Sequence, residues 1–381
     1  MNIQAIKSLF LNNKETALYG RYITNKDIEP LLNNLPETAS VKVIGRSVQD
    51  RPIYGIKTGH GKKRILLWSQ MHGNESTTTK ALFDLLNTLL KDESALNHLL
   101  EACTLYIIPI LNPDGANAYT RINANEVDLN RDAQNLTQPE SQVLRAIFND
   151  FKPHFCYNLH GQRTIFSAGK VNKSATVSFL SPAQDKDCTI TPNRKVSMEV
   201  IAIMNAMLQQ EIPEQVGVYD DAFNINCVGD TFQSENVPTI LFEAGHFHED
   251  YQREKTRELI YMSYITSLDY IAKDPVDGSV YESYLSIPEN EKLFLDIIIR
   301  NALVKGETVD VGIQYEERLI DENLEFIAKI VKIDNLEGIF GHKEIEAHGN
   351  EVLNEQGKSL EIDSENVLVR INNENVLLKT K

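Results

Sequence analysis

The stretch 64–86, "RILLWSQMHGNESTTTKALFDLL", runs from apolar residues through a short polar corner into an amphipathic repeat. A short apolar run bounded by turn residues reads as a buried strand, and apolar residues returning every three or four positions read as a helix. In an open α/β sheet, ligands bind just outside the carboxyl ends of the strands. The corner "HGNE" at 72–75 is therefore where chemistry is expected. Asn74 is expected to cap the helix, which leaves Glu75 in its first turn, where the helix dipole favours a carboxylate. His72 and Glu75 then project from one corner, both ready to bind a metal ion.

The same alternation continues on either side. Strands are expected at "SVKVIG", "IYGIKT", "TLYIIPIL", "HFCYNL", "ATVSFLS" and "PTILFEA", and helices at "ESQVLRAIFNDF", "RKVSMEVIAIMNAMLQQ" and "RELIYMSYITSLDYIA". Strands alternating with helices predict an α/β fold: a mixed, largely parallel sheet with helices on both faces. Pro275 in "KDPVDGS" marks a break, and "EKLFLDIIIRNALV" (291–304) reads as a further helix. After Gly306 the pattern changes to short segments of period-two alternation, namely "TVDVGIQY", "LEFIAKIVKI", "KSLEID", "NVLVRI" and "NVLLKT". The expected organisation is a catalytic domain over 1–275, a helical connector over 276–305 and a small C-terminal β-rich domain over 306–381.

"HGNE" recurs at 348–351, and the looser pattern H-x-x-E also occurs at His98 with Glu101 and at His246 with Glu249. Spacing alone decides nothing, so the surroundings must. The second copy lies between alternating β segments, where Gly-Asn is good turn chemistry. It reads as a solvated hairpin.

A catalytic zinc takes three protein ligands and leaves one position open. "HFCYNLHGQ" (154–162) supplies a third: His160 ends an apolar strand, whereas His154 begins it and belongs to the other end of the sheet. Between the corners runs "IIPILNPDGANAYTRINANEVDLNRD" (107–132), with a tight turn at "NPDG" followed by Arg121 and Arg131. Two arginines near a metal can hold a carboxylate and stabilise an oxyanion. Asp128 is placed to accept a hydrogen bond from a ligand histidine. Finally "VPTILFEAGHF" (237–247) ends an apolar strand on one acid, Glu243, which is costly there unless paired or functional. His246 and His248 beside it read as loop histidines.

The order of these motifs resembles the zinc carboxypeptidases. That family carries H-x-x-E, then N-P-D-G with an arginine, then N-R, a strand-terminal His and a strand-terminal Glu, matched here by His72 and Glu75, by "NPDG" with Arg121, by Asn130 and Arg131, by His160, and by Glu243. The match spans about residues 40 to 272. The resemblance implies one zinc ion on His72, Glu75 and His160, with Glu243 as general base. It further implies Arg121 at the oxyanion, and Asn130 with Arg131 on the terminal carboxylate of a peptide. The interval from Glu75 to His160 is shorter than in digestive members and similar to compact bacterial ones. The serine usual after the third ligand is replaced by "GQR". Tyr219 is the best counterpart of the family's active-site tyrosine, and the position that sets side-chain preference falls near Gly229 and Asp230.

Two other functions remain open at this stage. A deacylase on the same fold would remove the acyl group from an N-acyl amino acid that carries a free carboxylate. An inactive scaffold would use the β module to bind a partner, although Glu243 beside all three ligands speaks against it. Asp and Glu outnumber Lys and Arg 54 to 38, a formal charge of -16, which disfavours nucleic acid and anionic membranes. No run approaches the roughly 20 apolar residues of a membrane span, and the N-terminus lacks the pattern of a secretory signal. Four scattered cysteines show no C-x-x-C spacing, which fits a reducing compartment. A cytoplasmic location is therefore expected. Nothing in the sequence speaks to oligomeric state.

Overall fold

The computed structural model describes residues 1–91 and 95–380. Nine strands occupy the first part of the chain: β1 (Ala39–Arg46), β2 (Pro52–Thr58), β3 (Lys63–Ser69), β4 (Cys103–Ile108), β5 (Phe155–Gly161), β6 (Ser167–Ala168), β7 (Val177–Leu180), β8 (Val216–Val218) and β9 (Thr239–Ala244). All but the two-residue β6 form one eight-stranded sheet, in the order β1-β2-β4-β3-β5-β9-β7-β8. Strands β4, β3, β5 and β9 run parallel at its centre. The antiparallel pairs lie towards the edges, where β1 joins β2, β2 joins β4, and β7 joins β9. This is the mixed sheet expected.

The central strands are apolar because both of their faces are covered. Ile65, Leu66, Leu67 and Trp68 of β3 are fully buried, each stabilising the fold by about 1.5–3 kcal/mol through area removed from water. Helices α1 (Ile3–Asn13), α2 (Asn25–Asn33), α3 (Thr77–Leu89) and α4 (Asn97–Ala102) come early in the chain. They are followed by α5 (Pro113–Ala118), α6 (Pro139–Phe151), α7 (Pro192–Leu208), α8 (Val228–Ser234) and α9 (Glu254–Lys273). Leu82, Ile201 and Ile265 from α3, α7 and α9 share one core with Ile65 and Leu67. Leu144 and Phe148 of α6 and Phe232 of α8 pack with Leu66 and Trp68 on the other face. No helix among the described residues is long and apolar enough to cross a membrane.

One buried cluster fixes the N-terminal segment near the future site. Arg257 on α9 pairs with Asp84 on α3 through two 2.6 Å bonds and also donates to the carbonyls of Glu15 and Leu18. Removing one partner of such a buried pair costs about 3–5 kcal/mol, because the other charge is stranded.

The C-terminal part corrects two expectations. Residues 294–304, expected as a helix in a connector, form β11 (Phe294–Val304), after the two-residue β10 (Asn290–Glu291) that pairs with β6. The run "FLDIIIRNALV" is buried almost throughout, and short apolar runs do not distinguish a strand from a helix by period. Three successive isoleucines, stiff at χ1, favour the strand. Strand β11 pairs with β12 (Glu307–Ile320) and β14 (Phe340–Glu346), and β12 pairs with β13 (Asn323–Asp334). A smaller sheet holds β15 (Val352–Asn354), β16 (Leu368–Ile371) and β17 (Glu374–Leu377). "KSLEID" makes no strand, only an isolated bridge from Ser359 to Leu353. Its alternation is too short and too exposed to hold a ladder.

Candidate metal centre and catalytic cleft

Parallel strands deliver the site. His160 on β5 and Glu243 on β9 are register partners, and His72 follows the end of β3, which pairs with β5 as far as Ser69 with Leu159. All three therefore stand at the carboxyl edge of the sheet. The corner after β3 turns sharply: Gln70 has φ 43° and the Glu75 amide donates to the His72 carbonyl at 3.1 Å. Gly73 is required there, since a Cβ would lie 1.9 Å from the Gly115 backbone. The helix begins later than expected. Its cap position is Ser76, without a side-chain cap bond, so Asn74 caps nothing and Glu75 precedes the first turn. The tight turn holds Glu75 in place instead. The "NPDG" corner is a helical turn, α5, closed by the Asn112 side chain accepting from the Gly115 amide at 2.8 Å.

Three donors converge. Glu75 places one oxygen 2.9 Å from His72 Nδ1 and the other 2.9 Å from His160 Nδ1, and the two Nδ1 atoms are 3.0 Å apart. One ligand atom from each lies within 4.8 Å of the others. His72 Nε2 faces Asp128 Oδ1 at 3.1 Å. An imidazole that donates through Nε2 to a carboxylate keeps its Nδ1 lone pair free. Two imidazole nitrogens and a carboxylate converging at the wall of a cleft fit a divalent cation of zinc type. His72 and His160 are each 2 % exposed. Burial opposes charge on Glu75, but His72 and His160 outweigh it and hold the carboxyl well below its usual range. Burial lowers His160, whereas Glu75 and Asp128 raise His72 against its burial.

Glu243 behaves oppositely. Burial and the charge of Glu75 push its carboxyl well above the ordinary carboxylate range. Its Oε2 is shielded from solvent and has no partner among the described residues. The side chain stands at the wall of a cleft of about 760 Å³ that His72, Glu75 and His160 also line.

The polar loop reaches the same cleft. Arg121 donates to Asp128 at 3.0–3.1 Å and approaches Glu75 at 3.5 Å. The Asn130 amide donates to Asp128, and the Asn130 side chain accepts from the Val228 amide at the start of α8. Arg131 is exposed and donates to the Asn130 carbonyl. Tyr219 lines the cleft too, edge-on to Phe166 at 5.4 Å, with its hydroxyl raised by burial and by Glu243. Asp230 on α8 joins the lining, its carboxyl pushed up to about 6 by burial.

The other histidines separate from the site. His348 has φ 53° in an exposed turn linking β14 to β15, which belong to different sheets, so this copy is solvated as expected but is not a hairpin. His154 accepts from the Arg64 amide at the opposite end of the sheet. His248 is exposed, and His246 is buried against Tyr251 and His342. Sequence reasoning missed Arg21, Arg163 and Tyr315, which also line the cleft. Arg163 had a signal in the "GQR" departure, whereas Arg21 and Tyr315 sit in no motif.

A family model for the zinc carboxypeptidases matches residues 24–218. The carboxypeptidase SOL1 of Arabidopsis thaliana is 28% identical over 182 residues, covering 41% of this chain and 37% of that protein. Carboxypeptidase E of Caenorhabditis elegans is 30% identical over 175 residues, covering 36% and 37%. The chain thus spans little over a third of these relatives' length. The carboxypeptidase A of Helicoverpa armigera superposes with a TM-score of 0.52 at 15% identity, over 70% of this chain and 80% of that one, which is a likeness of fold.

Proposed function

The chain belongs to the zinc carboxypeptidase family, and on that premise we propose that it removes the C-terminal residue of a peptide by zinc-dependent hydrolysis. His72, Glu75 and His160 would hold one zinc ion, which supplies an acidified water and a polarised carbonyl. Glu243 accepts the proton of that water and returns it to the leaving amine. Burial raises its affinity for a proton, which favours the first of these two transfers. Arg121 faces the carbonyl oxygen as negative charge develops there. Asn130 and Arg131 hold the substrate's terminal carboxylate, for which a guanidinium fork is well shaped. Tyr219 closes over the bound residue.

The observation that carries this reading is the register pairing of His160 with Glu243. It sets a desolvated, unpaired carboxylate on the strand beside a metal ligand. A purely structural glutamate would be expected to have found a partner.

Arg163 keeps the deacylase reading in play, because it adds a third exposed cation to the cleft beside Arg121 and Arg131, and an N-acyl amino acid also presents a free carboxylate. One experiment separates the readings. Zinc-loaded protein is given a peptide with a free C-terminus, the same peptide amidated, and an N-acyl amino acid. Cleavage of the free peptide alone, with KM raised by Arg131→Ala, is the expected result. Equal cleavage of the amidated peptide would remove the exopeptidase claim, and release of the acyl group alone would favour the deacylase.

A further inference from the structure

The cleft is not built by the catalytic sheet alone. Strand β12 carries Tyr315, Glu316 and Glu317 into its lining, and Phe326 joins them from β13. These residues are locked to the loops that leave the catalytic strands. Glu317 accepts from Arg21 at 2.5 Å and from the Tyr119 hydroxyl at 2.6 Å. The Tyr251 ring, a few residues beyond Glu243, lies 5.1 Å from Tyr315 and 5.5 Å from Phe326. Tyr251 and the Tyr315 amide both donate to the buried Asp296 on β11. Just beyond His160, Thr164 is held by His342 at its carbonyl and by Gln314 at its hydroxyl, each at 2.7 Å.

The carboxylate grip sits on a different flank. Asn130 is tied to the start of α8 and reaches the metal ligands through Asp128 and His72. The β wall instead reaches them from the side of Arg21, whose guanidinium feels the charge of Glu75. A peptide with its terminus at Arg131 and its scissile bond at the ligands lies in the same cleft that Tyr315, Glu316 and Phe326 line. That wall is paired strand, with β12 and β13 in register from Glu317–Phe326 to Ile320–Asn323, and cannot swing aside as a loop could.

Taking the carboxypeptidase reading as given, we propose that Tyr315, Glu316 and Phe326 form a fixed stop on the N-terminal side of the cleaved bond and restrict the enzyme to short peptides. The cleft of about 760 Å³ falls within the roughly 300–1,000 Å³ of small-molecule sites.

The test compares a blocked dipeptide with a decapeptide ending in the same two residues, using the zinc-loaded full chain. The decapeptide should show kcat/KM lower by about tenfold or more, the scale on which a closed pocket rejects excess bulk. Phe326→Ala, and independently Glu316→Ala, should shrink that ratio. The ratio is insensitive to any uniform loss of folded protein, and a purely supporting module would leave it unchanged. Equal kcat/KM on the two substrates in the parent, or an unaltered ratio in both variants, would overturn the stop while leaving the carboxypeptidase intact. Absence of turnover on either substrate would remove the carboxypeptidase reading and the stop with it.

Discussion

Asp128 meets the outer nitrogen of His72 at 3.1 Å while the inner nitrogen of the same ring faces Glu75 at 2.9 Å. The carboxylate therefore chooses which nitrogen of His72 carries the proton and which is offered to a metal. Asp128→Ala should weaken zinc affinity by about 10–100-fold, the usual cost of losing such support. Competition against a chelator of known affinity measures it. Unchanged affinity would show that the contact orients nothing.

The two copies of "HGNE" make opposite predictions. His72→Ala and His160→Ala should each lose stoichiometric zinc, since three ligands become two. His348→Ala should keep full zinc and full rate, because its side chain is 78% exposed on a turn between two sheets. Metal analysis of the three variants decides, and zinc loss from the His348 variant would mean the wrong copy was chosen.

Glu243→Gln keeps the shape but cannot take a proton. Zinc should remain bound while kcat falls by about 10²–10⁴. Stability should not fall, because the desolvated Oε2 has no partner to lose. Melting temperature, zinc content and kcat from one preparation give the answer. A folded, zinc-loaded variant with near-normal kcat would sink the mechanism.

The junction between sheet and β module contains two buried groups with opposed titrations. Burial holds His342 down to about 4. Between that value and 6.5 the unfolded chain binds a proton that the folded chain refuses, so its contribution to stability is complete above pH 6.5 and is lost as pH falls towards 4. Burial lifts Asp296 to about 6 from 3.8. There the folded state keeps the proton, so stability is lost as pH rises through that window. The two effects largely cancel. His342→Gln should unmask Asp296, shifting the difference in unfolding free energy between pH 4 and pH 7 by up to about 3 kcal/mol relative to the parent. Urea unfolding across that range measures it, and parallel pH curves for the two proteins would reject the assignment.

The sheet and the cluster of His72, Glu75 and His160 were legible because they leave local marks. Strand β3 is an apolar run, His72 and Glu75 share its corner, and His160 and Glu243 each end a run of their own. Strand β11 was not legible, since "DIII" is as apolar on a helix as in a strand and only its partners β12 and β14 decide. The start of α3 was misread by two residues because Ser76 takes a cap position with no side-chain bond to announce it. The cleft wall was invisible for another reason. Arg21 and Glu317 are almost 300 positions apart, and no pattern in a single sequence reports a contact between residues that share no period.

That separation has a consequence for synthesis. The residues proposed as ligands, general base and carboxylate grip have all left the ribosome once residue 243 has emerged, but Tyr315 and Phe326 follow much later. During that interval any hydrolytic centre that the nascent chain assembles has one side of its cleft missing. If the stop restricts substrates as proposed, the partly made protein is the less discriminating hydrolase, and translation of β12 and β13 is the step that narrows it.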